Sequence, residues 1–221
     1  MATMRTYGDG CGIAHALDLV GERWALLVIR ELLLGPKRFK DLRAGLPSAS
    51  TNVLSQRLRE LEDAAIIRRR TLPPPAGSSV YELTERGQQL EPVVLELGRF
   101  GSVAPFPAGE AQIGVDALAI ALKTLFAPSA TDGLPATYEL RLGEERFRVQ
   151  VVGGRLDIAR GSAEAPDATI ETDPGTLATV LWHGRKLGEA RRSGDLRIDG
   201  NEQAAKRFLG LFPLPVTPTA R

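Results

Sequence analysis

The sequence predicts a protein of the α+β class that is built from two domains. Its length of 221 residues suits two domains of about a hundred residues each. Apolar residues recur at helical spacing in the first half, as at Leu54, Leu58 and Leu61, whereas they alternate with polar residues in the second half, as in residues 146–151. Hydrophobic residues make up 43% of the chain, which is enough to fill a core in each domain.

A helix with one buried and one polar face is predicted in the segment that follows Ser50. Leu54, Leu58 and Leu61 define the buried stripe, and hydroxyl residues at the start of the segment offer a helix cap. The opposite face carries short or forked hydrogen-bonding side chains, namely Thr51, Asn52, Ser55, Gln56 and Arg59. Such side chains near a helix N-terminus match the donors and acceptors of the DNA major groove, although a polar face can also simply meet water.

The segments on either side of this helix favour DNA binding. Residues 39–46 are predicted to form a short helix that ends at Gly45 and Pro47, so that the two helices form a helix-turn-helix. Residues 66–72 and 79–83 have the character of strands, joined by a proline-rich turn. A basic hairpin directly after a recognition helix is a wing, which reaches along the DNA backbone or into the minor groove. The alternative for Arg68 to Arg70 is a solvated edge strand.

Charge supports DNA binding locally rather than globally. The chain has 28 Lys and Arg against 27 Asp and Glu, and a net charge of +1 by itself predicts no affinity for nucleic acid. Between residues 37 and 70, however, nine basic residues stand against four acidic ones, a local net charge of +5. The nine are Lys37, Arg38, Lys40, Arg43, Arg57, Arg59, Arg68, Arg69 and Arg70. We expect this segment to face phosphate.

Several separated motifs resemble the HxlR-type winged-helix transcriptional regulators. Residues 11–24 (CGIAHALDLVGERW) look like the opening signature of that family, and residues 24–32 continue it. The resemblance then runs through residues 38–39, 54–62 and 81–84, in the order of the family, and covers about residues 10–102. Two departures are a Phe100 where the family usually has a tryptophan, and an unusually proline-rich wing.

The resemblance implies a homodimer that binds double-stranded operator DNA. The predicted DNA-binding residues are Ser50, Thr51, Asn52, Ser55, Gln56, Arg59, Arg69, Arg70 and Ser78. A helix is predicted from about Thr84 to Gly101, and terminal helices pair two subunits in the resembled family. Its apolar stripe is therefore the predicted dimer interface, together with the first helix: Leu90, Val93, Val94, Leu97 and Phe100.

The pattern changes after the first domain, which we place at residues 1–103. Two prolines and a glycine identify residues 104–112 as a linker to a second domain, residues 113–221. That domain is predicted to begin with a helix at residues 115–126. Strands at 138–142, 146–151, 155–158 and 168–171 follow, with Gly153 and Gly154 closing one hairpin. Asp173-Pro174 and Asn201 open further helices. We expect an antiparallel sheet with helices over one face.

The second domain resembles the sterol-carrier-protein fold over about residues 113–212. The matching pieces are residues 172–174 before a helix and residues 194–200 before Phe208 and Phe212. That fold implies an apolar tunnel that holds a hydrophobic small molecule. The predicted pocket residues are Phe147, Val149, Val151, Leu181, Phe208 and Phe212, and the alternative is that they fill a core without a cavity.

Catalytic and metal-binding patterns are absent from the sequence. Two histidines and one cysteine give no ligand set of ordinary spacing, and no glycine-rich phosphate loop follows a strand, so we expect no enzyme activity, no metal and no cofactor. Cys11 begins the first predicted helix, where a thiolate is favoured. In several members of the resembled family, a cysteine at the matching position is a thiol sensor of oxidants or electrophiles. The resemblance therefore makes Cys11 a candidate redox sensor. A buried, inert cysteine is the alternative.

The sequence thus predicts a dimeric transcriptional regulator whose second domain senses an apolar small molecule. The alternative is a lipid carrier that uses its winged helix as a protein-interaction module. No apolar run approaches the roughly 20 residues of a membrane span, and the N-terminus lacks a signal-peptide core. We therefore expect a cytoplasmic protein without membrane association.

Overall fold

The computed structural model describes residues 6–74, 77–104, 113–131 and 133–215. The chain forms two compact units, Met1–Val94 and Leu95–Arg221, and the division between them falls inside a helix. Apart from Ala104, the predicted linker lies outside the described residues, so the predicted domain boundaries stay predictions.

The first unit has the element order of a winged helix-turn-helix. Its elements are α1 (Gly12–Val20), α2 (Ala25–Leu32), α3 (Phe39–Gly45), α4 (Thr51–Asp63), β1 (Ile67–Thr71), β2 (Ser79–Leu83), α5 (Glu85–Gln88) and α6 (Glu91–Ser102), the last of which crosses the division. Leu54, Leu58 and Leu61 of α4 are fully buried, as the helical spacing predicted. Ile29 of α2 and Leu42 of α3 are fully buried in the same unit. The predicted helix-turn-helix and hairpin are confirmed.

The wing is fixed to the body of the first unit by a short backbone bridge. Strands β1 and β2 pair antiparallel, with Arg68 opposite Glu82 and Arg69 opposite Tyr81. The Lys37 N–H donates to the Tyr81 carbonyl at 2.9 Å, and the Tyr81 N–H donates to the Lys37 carbonyl at 2.8 Å. Because Lys37 lies just before α3, this bridge holds the base of the wing beside the helix-turn-helix.

The single helix predicted from Thr84 to Gly101 is wrong, because the structure has two helices there. Thr84 caps the short helix α5, where its hydroxyl accepts the Gly87 N–H at 3.0 Å. The chain then starts again as α6, with Pro92 in its first turn. A proline has no N–H to donate to the carbonyl four residues before it, so a continuous helix is disfavoured at this point.

The second unit is a sheet with helices. Its elements are α7 (Val115–Leu125), β3 (Ala136–Leu142), β4 (Glu145–Val152), β5 (Arg155–Arg160), β6 (Ala168–Thr172), α8 (Pro174–Trp182), α9 (Leu187–Arg192), β7 (Leu196–Gly200) and α10 (Glu202–Gly210). The predicted caps are confirmed, since Asp173 and Asn201 accept backbone N–H groups at the starts of α8 and α10. Gly153 and Gly154 have φ values of 57° and 71°, as a tight hairpin requires.

The predicted all-antiparallel sheet is wrong, because the five-stranded sheet is mixed. Its strand order is β5-β4-β3-β6-β7, and β3 pairs with β6 in parallel. Strand β4 already occupies one edge of β3, so β6 must take the other edge after a crossover. The crossover is the segment between β5 and β6, and it contains Ala163. The buried carboxylate of Glu139 on β3 fixes it in place by accepting the Ala163 N–H at 2.8 Å, and the same carboxylate accepts the Arg141 Nε–H at 2.7 Å. Alternation of apolar residues does not reveal strand direction.

Helix α9 was not predicted. Only Ala190 of its six residues is buried, so it has no apolar stripe to reveal it.

Among the described residues, no helix is both long enough and apolar enough to cross a membrane.

Candidate nucleic-acid interface

Helix α4 presents the polar face that the sequence predicted. Ser50 is its N-cap, and the Ser50 hydroxyl accepts the Val53 N–H at 3.3 Å. Of the predicted DNA-binding residues near or on α4, Ser55 is half-buried and the others are exposed: Ser50, Thr51, Asn52, Gln56 and Arg59. These side chains are therefore accessible to a ligand in the free protein.

Sequence reasoning missed Val53 on the same helix. Its side chain is 36% exposed although it is apolar, and it follows Asn52 in the first turn of α4. An apolar side chain at this position can contact the methyl group of thymine in the major groove. The signal in the sequence was its place outside the Leu54, Leu58 and Leu61 stripe.

Two of the nine basic residues counted toward the positive segment do not face solvent. Arg57 is 9% exposed and forms ion pairs with Glu60 and Glu22, the latter at 3.5 Å. Lys37 is 8% exposed, and its Nζ lies 2.5 Å from Glu31 Oε2. The expectation that all nine face phosphate is therefore wrong. Six of the nine are exposed, and Arg38 is half-buried. The exposed six are Lys40, Arg43, Arg59, Arg68, Arg69 and Arg70.

The wing arginines project from both faces of the hairpin. Arg69 Nε donates to Ser79 Oγ at 2.5 Å, and its guanidinium lies 5.9 Å from the Tyr81 ring centroid. Arg68 and Arg70 both pair with the carboxylate of Glu82, at 2.7 Å and 2.9 Å. All three guanidinium groups are thus held in place by neighbours on β2.

Ser78 differs from the other predicted DNA-binding residues. Its Oγ is buried and has no hydrogen-bond partner among the described residues. Residues 75 and 76 at the tip of the wing lie outside the described residues. A contact between the Ser78 hydroxyl and DNA would need the side chain to turn toward solvent.

Exposed apolar side chains mark two helices of the winged-helix region. On α6, Val93 and Leu97 are each 51% exposed and Phe100 is 75% exposed. On α1, Ile13 and Leu17 are also exposed. Of the other residues predicted at the dimer interface, Leu90 is half-buried, and Val94 is buried in the core. The exposed apolar surface of α6 is therefore narrower than the predicted stripe.

Five of the six predicted pocket residues lie in the core of the second unit. Phe147, Val149, Val151, Phe208 and Phe212 are buried, whereas Leu181 is half-buried. The Phe208 ring centroid lies 5.0 Å from those of both Tyr138 and Phe212. A cavity of about 20 Å³, room for one water molecule, lies beside this cluster. Thr131, Leu134, Ala136, Tyr138, Val151, Arg207 and Leu211 line it.

Cys11 is exposed and caps the first helix. Its Sγ accepts the Ile13 N–H at 3.4 Å. Backbone hydrogen bonds from Ala14 and Ile13 lower the pKa of the Cys11 thiol below its usual range, because they stabilise the thiolate. The alternative of a buried cysteine is wrong. Among the described residues, no group of three or more His, Cys, Asp or Glu side chains is placed to hold a metal ion.

A capped helix with an exposed polar face, preceded by a short helix and followed by a basic hairpin, defines a winged helix-turn-helix protein. The model of the HxlR-like helix-turn-helix family matches residues 19–105. The HTH-type transcriptional regulator sll1512 of Synechocystis sp. is 40% identical over 95 residues, which are 43% of this chain and 70% of that protein. YodB of Bacillus subtilis, an HTH-type transcriptional regulator, is 42% identical over 82 residues, 37% of this chain and 73% of YodB.

The chain belongs to the HxlR-like helix-turn-helix family and is a DNA-binding transcriptional regulator. Its relatives are named as regulators, so the alternative of a lipid carrier is not favoured. Among solved structures, the redox regulator HypR in its oxidized form is 32% identical, with a TM-score of 0.41. That match covers 44% of this chain and 100% of HypR. The family match ends at residue 105 and does not describe the five-stranded sheet.

Proposed function

We propose that this regulator binds operator DNA through the exposed face of α4 in the major groove, with the wing on the backbone. The observation that carries the proposal is the accessible polar face of α4, where Asn52 and Gln56 lie four residues apart and so share one side of the helix. Asn and Gln can each form two hydrogen bonds with adenine. In the free protein, Gln56 Nε2 donates to Glu60 Oε1 at 2.9 Å, and base reading would replace that bond.

The DNA-binding form is a homodimer in this proposal. A single recognition helix covers too few base pairs for useful specificity, whereas two helices about 34 Å apart read a near-palindrome. The exposed apolar residues Val93, Leu97 and Phe100 of α6 supply a surface for a second copy, with Ile13 and Leu17 of α1 as further contacts. Covering apolar side chains that are exposed to this extent lowers the free energy, which favours association with a partner.

A mobility-shift assay with the DNA upstream of the protein's own gene tests this function. We expect a specific complex that resists excess random DNA, and a footprint with two half-sites about one helical turn apart. A complex that random DNA competes away at equal concentration would contradict specific recognition by α4.

The second unit, in this proposal, binds an apolar small molecule and thereby changes DNA affinity. Leu134 is 63% exposed and lies at the cavity beside Tyr138 and Val151, so an apolar ligand could enter between β3, β4 and α10 by displacing side chains there. To change DNA affinity usefully, the ligand must favour one of two states by about 1–3 kcal/mol. Native mass spectrometry of the purified protein tests both proposals, since it reports the dimer and a co-purified ligand together.

Cys11 supports a second mode of sensing. The thiol is exposed and its pKa is lowered, the two properties that make a cysteine reactive toward oxidants and electrophiles. Because the chain has one cysteine, a disulfide would have to join two subunits. We propose that modification of Cys11 at the start of α1 changes the packing of the dimer. Mobility shifts before and after mild oxidation, with Cys11→Ser as the control, test this.

A further inference from the structure

The wing contains a carboxylate that occupies two of its three arginines. Glu82 lies opposite Arg68 on the hairpin, and Arg70 lies two residues further along the same face. Arg68 Nε donates to Glu82 Oε1 at 2.7 Å, whereas Arg70 Nε and Nη2 donate to Glu82 Oε2 at 3.1 Å and 2.9 Å. Both oxygens of one carboxylate are therefore bound by guanidinium groups.

The three side chains of this cluster differ in how far they are exposed to solvent. The Glu82 side chain is 12% exposed, whereas Arg68 and Arg70 are 66% and 44% exposed. The carboxylate is thus the less accessible partner, with two exposed cations above it. Hydrogen bonds from Arg70 and Arg68 hold the pKa of Glu82 below its usual range, so the carboxylate is charged at neutral pH.

The arrangement resembles the way guanidinium groups bind a phosphate, since a carboxylate and a phosphate offer similar paired oxygens. When the wing approaches DNA, each arginine that turns to the backbone must leave or share Glu82. The largely buried carboxylate would then lose a partner and lie near negatively charged phosphates. Both effects oppose binding to DNA of any sequence.

We propose that Glu82 is an internal competitor of the DNA backbone, which keeps Arg68 and Arg70 occupied in the free protein and so weakens non-specific binding. The inference rests on the proposed placement of the wing on DNA. Glu82 does not contact bases in this proposal. It acts on the two arginines and weakens binding to every sequence, so that only DNA that also makes the contacts of α4 is bound tightly.

The variant Glu82→Gln tests the inference because it keeps the shape of the side chain and removes its charge. We expect random-sequence duplex DNA to bind about two- to tenfold tighter, because arginines released from Glu82 become available to the phosphates. The dependence of log K on log salt should become steeper by about one, which corresponds to one more phosphate contact. Glu85→Gln, at an exposed residue three positions away on α5, is the control for the change in net charge.

A second readout does not depend on an operator. On a heparin column, Glu82→Gln should elute at higher salt than Glu85→Gln, and Glu82→Asp, which keeps the charge but shortens the reach, should elute between Glu82→Gln and the wild type. Equal elution of the two glutamine variants would overturn the inference. If the heparin order holds but the wild type binds no upstream DNA specifically, the proposed operator function fails and the competition stands. Thermal unfolding of each variant checks that it is folded.

Discussion

Glu31 of α2 lies directly against Gly45, the last residue of α3. A Cβ atom at residue 45 would stand 2.2 Å from Glu31 Oε2. The Glu31 carboxylate is 2% exposed and also lies 2.5 Å from Lys37 Nζ and 2.8 Å from Arg30 Nη2. This buried carboxylate and the missing side chain of Gly45 together set how closely the first helix of the helix-turn-helix approaches α2.

Gly45→Ala is expected to lower the free energy of unfolding by about 1–3 kcal/mol, the range for forcing extra volume into a packed site. The carboxylate cannot move aside without weakening its pairs with Lys37 and Arg30. Gly210→Ala is the matched control, because Gly210 also ends a helix and a Cβ there meets no atom within 4 Å. Urea unfolding measures both. Equal effects in the two variants would show that Glu31 does not confine residue 45.

Asn52→Ala and Gln56→Ala are expected to weaken binding to the operator by about 1–3 kcal/mol each and to leave random-DNA binding nearly unchanged. The reason is that base contacts carry sequence information, whereas phosphate contacts do not. Fluorescence anisotropy with both duplexes measures the difference. Gln203→Ala, which removes an exposed glutamine of the second unit, is the control. An equal loss on operator and random DNA would rule out base reading by these residues.

Leu97→Glu is expected to dissociate the homodimer. A charge placed in an apolar contact must lose water without a partner, so we expect the dimer dissociation constant to rise by about thirtyfold, or about 2 kcal/mol. Sedimentation velocity at micromolar concentration measures the shift. Leu214→Glu changes another exposed leucine and should leave the dimer intact. A wild-type protein that sediments as a monomer would contradict the proposed interface.

The pKa of Cys11 predicts how its reactivity depends on pH. Its backbone hydrogen bonds favour the thiolate, so alkylation by iodoacetamide should reach half its maximal rate at a lower pH than for a cysteine in an unfolded peptide. Below that midpoint the thiol is protonated and the rate falls. Since the chain has one cysteine, whole-protein labelling reports on this group alone. The urea-unfolded protein is the control, and equal midpoints in both states would contradict the prediction.

The Asp173 carboxyl should make the free energy of unfolding of the second unit depend on pH. Burial raises the pKa of this carboxyl, but hydrogen bonds from Thr176 and Gly175 outweigh it, so that the pKa lies below its usual range. The stabilisation is therefore complete above the pKa of an unfolded aspartate, and it is lost as the pH falls through the lower pKa of the folded protein.

Asp173→Ala should then cost about 1 kcal/mol at pH 7, since the Asp173 Oδ1 cap on the Thr176 N–H is removed. The difference from the wild type should shrink in acid. Asp173→Asn keeps a capping oxygen and should retain most of the stability without the pH dependence. Urea unfolding from pH 7 down to pH 3 measures all three proteins. A constant difference over that range would argue against a charged cap.

Two of the wrong predictions have a common physical cause. Lys37 and Arg57 are predicted to be surface charges because basic side chains are usually solvated. In the structure each is buried and forms an ion pair with a glutamate. Their partners Glu31 and Glu60 lie close enough in sequence to be suspected. Whether such a pair is buried, however, depends on which helices pack over it.

The sequence by itself determined the features that act over a few residues. The cap at Ser50, the Asp173-Pro174 helix start, the Gly153-Gly154 hairpin and the apolar spacing of α4 follow from local backbone geometry. Only the tertiary structure decided the parallel pairing of β3 with β6 and the Glu82 cluster on the wing. The parallel pairing depends on which distant segments meet, and the Glu82 cluster depends on the register of the hairpin. Residue type and spacing restrict both without selecting one.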